Sequence, residues 1–199
     1  NIWPISFFSF EDLRLFFSLV LIAISCIIMG AGIPTTATYI ILVAVAAPAL
    51  AQLGIEPLVA HFFVFYYGVL ADITPPVALA AYAASGIAKS NPFKTGNTAF
   101  RLGIAKALVP FVFVYSPSLL LITGEFQTNQ LIITLIGTLI GIALIGIAFS
   151  GYWFRPLKKY EQILIGLGSL LFVAPGIESM LFGSIIILPM IFLQFYKKN

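Results

Sequence analysis

Charge is scarce in this chain: of 199 residues only 9% are Asp, Glu, Lys or Arg, against roughly a quarter in ordinary soluble domains. A water-soluble globular fold is excluded, because there is not enough charged surface to cover one. Cysteine is nearly absent too. Cys26 stands alone, so no intrachain disulfide and no cysteine cluster for a metal can form. Ten Lys and Arg against seven Asp and Glu leave a net charge of +3, too little for a nucleic-acid footprint. No Walker loop is present, so the chain does not hydrolyse ATP by itself. No cofactor is expected.

What is abundant is apolar surface. Hydrophobic residues make up 61% of the chain, the mean hydropathy is +1.09, and there are 19 Phe and 8 Tyr. Disorder is excluded on those numbers. At about 20 residues per crossing, the length accommodates about five to seven membrane segments. The chain opens at Asn1 without a charged n-region or a cleavable signal shape, and it reads as a portion of a longer polypeptide. The fold class expected is an all-α polytopic membrane protein.

Along the chain, residues 1–12 read as an external or interfacial lead-in. An apolar block at 13–29 runs into Gly30-Ala31-Gly32-Ile33-Pro34-Thr35-Thr36, and a second block follows to residue 50. Pro34 lacks an N–H and disfavours helical geometry at Ile33, while Gly30 and Gly32 tolerate a sharp backbone. Arms of about 17 and about 14 residues are too long for half a span at a 1.5 Å rise, so a re-entrant hairpin over 13–50 is expected. A polar turn at 52–57 leads to a third block at 58–70, which stops at Ala71-Asp72-Ile73-Thr74-Pro75-Pro76. Thr74 as N-cap and Pro75 as first helical residue predict a new helix over 77–88, which makes 58–88 a broken helix. The segment 13–88 is thus the expected transport core.

Residues 89–106 carry Lys89, Lys94, Arg101 and Lys106 among Phe93, Phe100, Leu102 and Ile104, the pattern of an amphipathic interfacial segment. Two transmembrane helices are expected over 107–149, the first interrupted by Pro110 and Pro117, with the cation-free loop at 124–130 between them. Arg155, Lys158 and Lys159 follow. By the positive-inside rule that loop and the 89–106 segment face the cytoplasm, and 52–57 and 124–130 lie outside. Residues 150–199 read as a basic loop and a C-terminal hydrophobic hairpin with short arms around Pro175-Gly176, flanked by Lys197 and Lys198. Trp3, Tyr152, Trp153 and Tyr160 suit interfacial belts.

Unwound backbone at membrane depth persists only where it is buried in protein or lines a polar cavity, because each unpaired N–H or C=O costs several kcal/mol in hydrocarbon. Secondary transporters build ion and substrate sites from such breaks. Thr35, Thr36 and Thr74 supply hydroxyls beside both of them, and hard oxygen donors suit an alkali cation. Asp72 is the only acidic residue within an apolar block of the first 90 residues. An intramembrane carboxylate points to function: it would ligate a cation, carry a proton or hold the broken ends together. Capping of the next helix is the structural alternative.

The run Gly32-Ile33-Pro34-Thr35-Thr36-Ala37, then Pro48-Ala49-Leu50, Leu53-Gly54-Ile55-Glu56-Pro57, Asp72-Ile73-Thr74-Pro75-Pro76-Val77 and Ala84-Ser85-Gly86-Ile87-Ala88, resembles the C-terminal half of the large membrane subunit of tripartite ATP-independent periplasmic (TRAP) transporters, over residues 13–120. Phe65-Tyr66-Tyr67-Gly68-Val69-Leu70-Ala71 before Asp72, and the hydrophobic segments from Leu131 onward, look most like the fused-permease branch. The usual pattern has Asn and Gly where this chain has Tyr67 and Ala71. The resemblance implies an elevator-type, Na+-coupled importer of organic acids in the bacterial inner membrane. It further implies a periplasmic substrate-binding protein and a small membrane subunit, separate or fused upstream, as partners. In that reading Gly30, Gly32, Thr35, Thr36, Asp72 and Thr74 form the ion and substrate neighbourhood, and Na+ is held through Gly32, Thr35 and Thr74. Pro34, Pro75 and Pro76 hold the breaks open.

Two other classes fit parts of the sequence. His61 and Ser85 invite comparison with intramembrane serine proteases, where the nucleophile needs a nearby base, but His61 precedes Ser85 and residue 83 is Ala, not Gly. A passive scaffold accounts for small-residue spacing such as Gly137 to Gly141, but not for two Thr-bearing breaks.

Overall fold

The computed structural model describes residues 10–121, 128–174 and 176–196. The lead-in before residue 10, Trp3, most of the expected outer loop at 124–130, Pro175, Lys197 and Lys198 lie outside the described residues. Among those described, the chain is helical and holds no strand, with one isolated bridge between Tyr152 and Pro156. Five helical segments are long and apolar enough to cross a membrane: Leu13–Gly30, Thr35–Gln52, Pro92–Tyr115, Thr128–Ser150 and Ile177–Tyr196. The protein is an all-α, multi-pass membrane protein.

Helices α1 (Phe10–Gly30) and α2 (Thr35–Gln52) are the two arms around the first break. Each packs more extensively on α3 (Pro57–Ala71) than on the other arm. The hairpin is therefore splayed, with α3 lying along it. Leu19, Ala23 and Cys26 of α1, Leu42, Ala46 and Leu50 of α2, and Ala60, Phe63, Val64, Tyr67 and Leu70 of α3 form one buried core. The three- and four-residue spacings put each set on one helix face. The opposite faces stay apolar and exposed at Phe17, Leu21, Ile24, Ile40 and Val45, as lipid-facing surfaces do. His61 bonds the Tyr39 hydroxyl at 2.7 Å, tying α3 to α2.

Pro57 opens α3 at a position where the missing N–H costs nothing. At 15 residues α3 is only about 22 Å long, short of a hydrocarbon core of about 30 Å, so its C-terminal end falls at membrane depth. Helix α4 (Leu79–Ile87) continues after the second break. Helix α5 (Pro92–Gly103) is capped by Asn91, whose side chain accepts the Lys94 N–H at 3.1 Å. A 3-10 segment (Ile104–Leu108), helix α6 (Val109–Tyr115) and a second 3-10 segment (Pro117–Leu120) follow without a long loop. Pro110 sits in the first turn of α6 and Pro117 opens the second 3-10 segment.

Helix α7 (Thr128–Ser150) packs on α8 (Lys159–Val173), and α8 on α9 (Ile177–Tyr196), around Leu144, Ala148, Leu157, Ile165, Phe172, Ile187 and Met190. Gly137 and Gly141 permit this closeness. A Cβ on Gly137 would stand 2.7 Å from the Phe172 carbonyl oxygen, and one on Gly141 would be 3.0 Å from that of Ser169. The C-terminal arms are longer than expected: α9 runs straight through Pro189 for 20 residues. At its base Arg155 bonds Glu161 through both terminal nitrogens, at 2.6 and 3.2 Å, and Gln194 donates to the same carboxylate at 3.2 Å.

Candidate functional site

The first break is residues 31–34. Gly32, at φ +82°, reverses the chain in a region that a side chain disfavours. Pro34 holds extended geometry (φ −56°, ψ 141°) just before α2. Thr38 ties this tip off: its hydroxyl donates to the Ile33 carbonyl at 3.0 Å and its N–H to that of Pro34 at 2.9 Å.

The second break is longer, residues 72–78, and it corrects the expected start of the next helix. Thr74 is not an N-cap and Pro75 is not a first helical residue. The Thr74 hydroxyl turns back to donate to the Leu70 carbonyl at 2.7 Å. Pro75 and Pro76, joined by a cis peptide, sit in the turn. Helix α4 begins at Leu79, preceded by Ala78 in the left-handed region (φ 39°, ψ 51°). The Ala80 N–H is met by the main-chain carbonyl of Asp72 at 3.0 Å, so the Asp72 side chain is not spent on capping.

The fold brings the two breaks together. The Thr35 hydroxyl, at the first residue of α2, donates to Asp72 Oδ2 at 2.8 Å across 37 positions of sequence. A Cβ on Gly30 would stand 2.9 Å from Thr38 Cγ2 and 3.0 Å from Ala71 Cβ, and one on Gly32 would be 3.2 Å from Val77 Cγ1. Tip and break are therefore in close contact through Gly30 with Ala71, Gly32 with Val77, and Thr35 with Asp72.

The electrostatics favour a cation. Gly30 and Ala71 are the last residues of α1 and α3, and helix C-termini carry partial negative charge from unsatisfied carbonyls. Two such ends meet beside a carboxylate. The Thr35 and Thr74 hydroxyls spend their protons on Asp72 and Leu70, which leaves their oxygen lone pairs as acceptors. Among the described residues, no backbone N–H reaches the carbonyls of Gly32 or Ile73. The donors gathered here are all oxygens, as hard cations require. Thr36 and Pro34 are exposed.

Sequence reasoning missed four contributors. Thr38, 1% exposed, was read as part of an apolar block; its four-residue spacing to Leu42, Ala46 and Leu50 is the signal that puts it on the buried face. Tyr67 donates its hydroxyl to the Ala107 carbonyl at 2.6 Å, tying α3 to the first 3-10 segment. Gly103 of α5 packs directly on Ile73 in the second break, and Gly96 packs on Tyr82 and Ala78. Ser85 is remote from any base in bonding terms: its hydroxyl donates to the Tyr82 carbonyl at 2.7 Å, and His61 is engaged by Tyr39.

Residues 9–128, well over half of the chain, match the family model described as "Tripartite ATP-independent periplasmic transporter, DctM component". No curated protein and no solved structure matches the chain.

Proposed function

From the premise that this chain belongs to the tripartite ATP-independent periplasmic transporter family as its DctM component, a membrane permease component and not an enzyme, we propose that it couples inward Na+ movement to the import of organic acids. Tip and break together hold the coupling ion. The observation that carries this reading is the Thr35–Asp72 hydrogen bond, which joins two unwound segments whose α1 and α3 ends are both electronegative. Na+ is coordinated by the carbonyl of Gly32 and the hydroxyls of Thr35 and Thr74, with Asp72 balancing its charge. Gly30 allows the two helix ends to approach. Pro34, Pro75 and Pro76 keep these segments out of helical geometry. Thr36, one residue beyond, faces the substrate side at the N-terminal end of α2, where partial positive charge favours a carboxylate.

In this reading the chain is the C-terminal half of a fused permease of the bacterial inner membrane, moving by an elevator mechanism. A periplasmic binding protein delivers the acid, and a small membrane subunit completes the assembly. The test is uptake by the full-length protein in vesicles, with Thr35→Val and Thr74→Val variants assayed over a range of Na+ concentrations. Removing one ligand hydroxyl raises the half-saturating Na+ concentration by about tenfold, the equivalent of one hydrogen bond of about 1.4 kcal/mol. Unchanged Na+ dependence in both variants removes these positions from the site.

A further inference from the structure

The basic residues of this chain form a surface of their own, separate from the Na+ site. Between Ile73 and Gly124 the sequence contains no Asp or Glu, while Lys89, Lys94, Arg101 and Lys106 all fall inside that stretch. Arg101 donates to the carbonyl of Phe149 at 2.9 Å, in the last turn of α7. The bond brings α5 to the end of α7 from which the loop carrying Lys158 and Lys159 departs. The two basic segments, some 50 residues apart in sequence, therefore share one end of the bundle.

The six cations Lys89, Lys94, Arg101, Lys106, Lys158 and Lys159 are all exposed. None of them forms an ion pair among the described residues. The nearby carboxylate, Glu161, is 1% exposed and occupied by Arg155, the Lys158 N–H and Gln194. Large apolar side chains open to the outside stand beside and between the cations: Ile87, just before Lys89, at 88%, and Phe93 and Leu102, between the cations, at 64% and 66%. A shallow groove along α5 is lined by Lys94, Thr95, Thr98, Ala99 and Leu102; the Thr95 and Thr98 hydroxyls donate to the Asn91 and Lys94 carbonyls, so the groove combines a cation with an apolar wall. Water-facing helices do not place their largest hydrophobic groups between lysines, whereas a helix lying in a lipid interface does.

The length of chain that follows is enough for a crossing that leaves α5 outside it. From Ile104 to Leu120 the two 3-10 segments rise about 2.0 Å per residue and α6 about 1.5 Å, giving about 28 Å in all, close to one hydrocarbon thickness. This run packs along α7, which it meets through both 3-10 segments. Of the segment Pro92–Tyr115 that is long and apolar enough to cross, the α5 part carries Lys94 and Arg101; with the crossing made by 104–120 instead, α5 lies at the membrane surface beside the end of α7.

We propose that α5 and the α7–α8 loop form a docking surface for anionic phospholipid, with phosphate headgroups held by Lys94, Arg101 and Lys106 and acyl chains alongside Phe93 and Leu102. Its occupant is the bilayer's own anionic lipid, because the unpaired charge is of one sign and apolar anchors alternate with it. The surface is coupled to the second break: the buried side of α5 meets Ile73 through Gly103 and Ala78 through Gly96. Lipid that fixes α5 also fixes one wall of the break. The lipid-binding part of the proposal does not depend on Na+ coupling.

The experiment uses the full-length protein in detergent, titrated separately with phosphatidylglycerol and phosphatidylcholine, each carrying a photoactivatable group near the headgroup, with cross-linked peptides identified by mass spectrometry. Phosphatidylglycerol labels residues 89–106 and 151–160 at concentrations at least fivefold lower than phosphatidylcholine does. In Lys89→Gln/Lys94→Gln/Lys106→Gln that preference is lost, since each interfacial cation contributes about a fivefold factor. All three side chains are exposed, and a Leu102→Ser variant, which keeps every charge, retains the headgroup preference. Equal labelling by the two lipids, labelling centred on α1, α2 or α9, or a preference that survives in the triple variant overturns the proposal. So does heparin protecting these peptides with no phosphatidylglycerol preference beneath it, which assigns the face to a soluble polyanion.

Discussion

Gly30 is the position where the contact between tip and break can be measured most directly. A methyl group added there meets Thr38 Cγ2 at 2.9 Å and Ala71 Cβ at 3.0 Å. Neither neighbour yields easily: Ala71 Cβ is fixed to the last turn of α3, and Thr38 is held through its hydroxyl bond to Ile33. Relief requires the tip to move off the break by several tenths of an ångström, which lengthens the Thr35–Asp72 bond. Overpacking of this kind costs about 1–3 kcal/mol. Against it stands the gain of about 0.5–1 kcal/mol from replacing Gly by Ala in a helix. Gly86 is the internal standard, because it lies within α4 and a Cβ there meets nothing within 4 Å. Gly86→Ala therefore reports the helical gain alone, and the difference between the two variants reports the packing clash. Thermal unfolding in detergent gives Gly30→Ala a midpoint lower than that of Gly86→Ala by roughly 2–12 °C, at about 2–4 °C per kcal/mol. If Gly30→Ala is as stable as Gly86→Ala, the tip does not rest on the end of α3 and the geometry of the site is wrong.

Three further outcomes are expected. Hydrogen exchange at residues 31–38 accelerates about tenfold in Thr35→Val, which removes one hydrogen bond to a carboxylate worth about 1.5 kcal/mol, and is unchanged in Thr36→Val, whose side chain is exposed; equal effects count against the Thr35–Asp72 link. Gly103→Val, which forces a branched side chain into Ile73, lowers substrate uptake more than it lowers the amount of folded protein in the membrane, and a matched fall in both reduces α5 to a stability element. Glu161 gives the C-terminal helices an acid-sensitive base. Burial raises the pKa of its carboxyl, but hydrogen bonds from Arg155 and the Lys158 N–H outweigh burial and hold it below the ordinary carboxylate value. A carboxyl lowered on folding contributes stability that is complete above the unfolded value of about 4.3 and is lost as pH falls below it. The unfolding midpoint is therefore flat above about pH 5 and drops on further acidification, a limb that Glu161→Gln abolishes.

Composition and punctuation made much of this protein legible. Apolar runs at 13–29, 37–50 and 131–149 became α1, α2 and α7 because a bilayer leaves the backbone no option but internal hydrogen bonding. Pro34 after Gly32 and Pro75-Pro76 after Thr74 marked both interruptions, since proline removes a donor and glycine permits positive φ. Other features were hidden because they depend on contacts distant in sequence. Thr74 was expected to cap the helix ahead of it and instead bonds to the helix behind, a choice made by the turn at Pro75-Pro76 and by the Asp72 carbonyl taking the Ala80 N–H. Gly103 carries no local signal of its importance, because it matters through Ile73, 30 residues away.

What the sequence determined by itself was that the chain crosses a membrane as helices and where those helices break, since both follow from transfer energies and backbone chemistry local to each residue. The tertiary structure alone decided that Thr35 meets Asp72, that two electronegative helix ends converge beside them, and that basic segments some 50 residues apart share one end of the bundle. Those outcomes arise from how α3 fits between the splayed arms and how α5 and α7 pack, and packing is a property of surfaces in contact that no single stretch of chain contains.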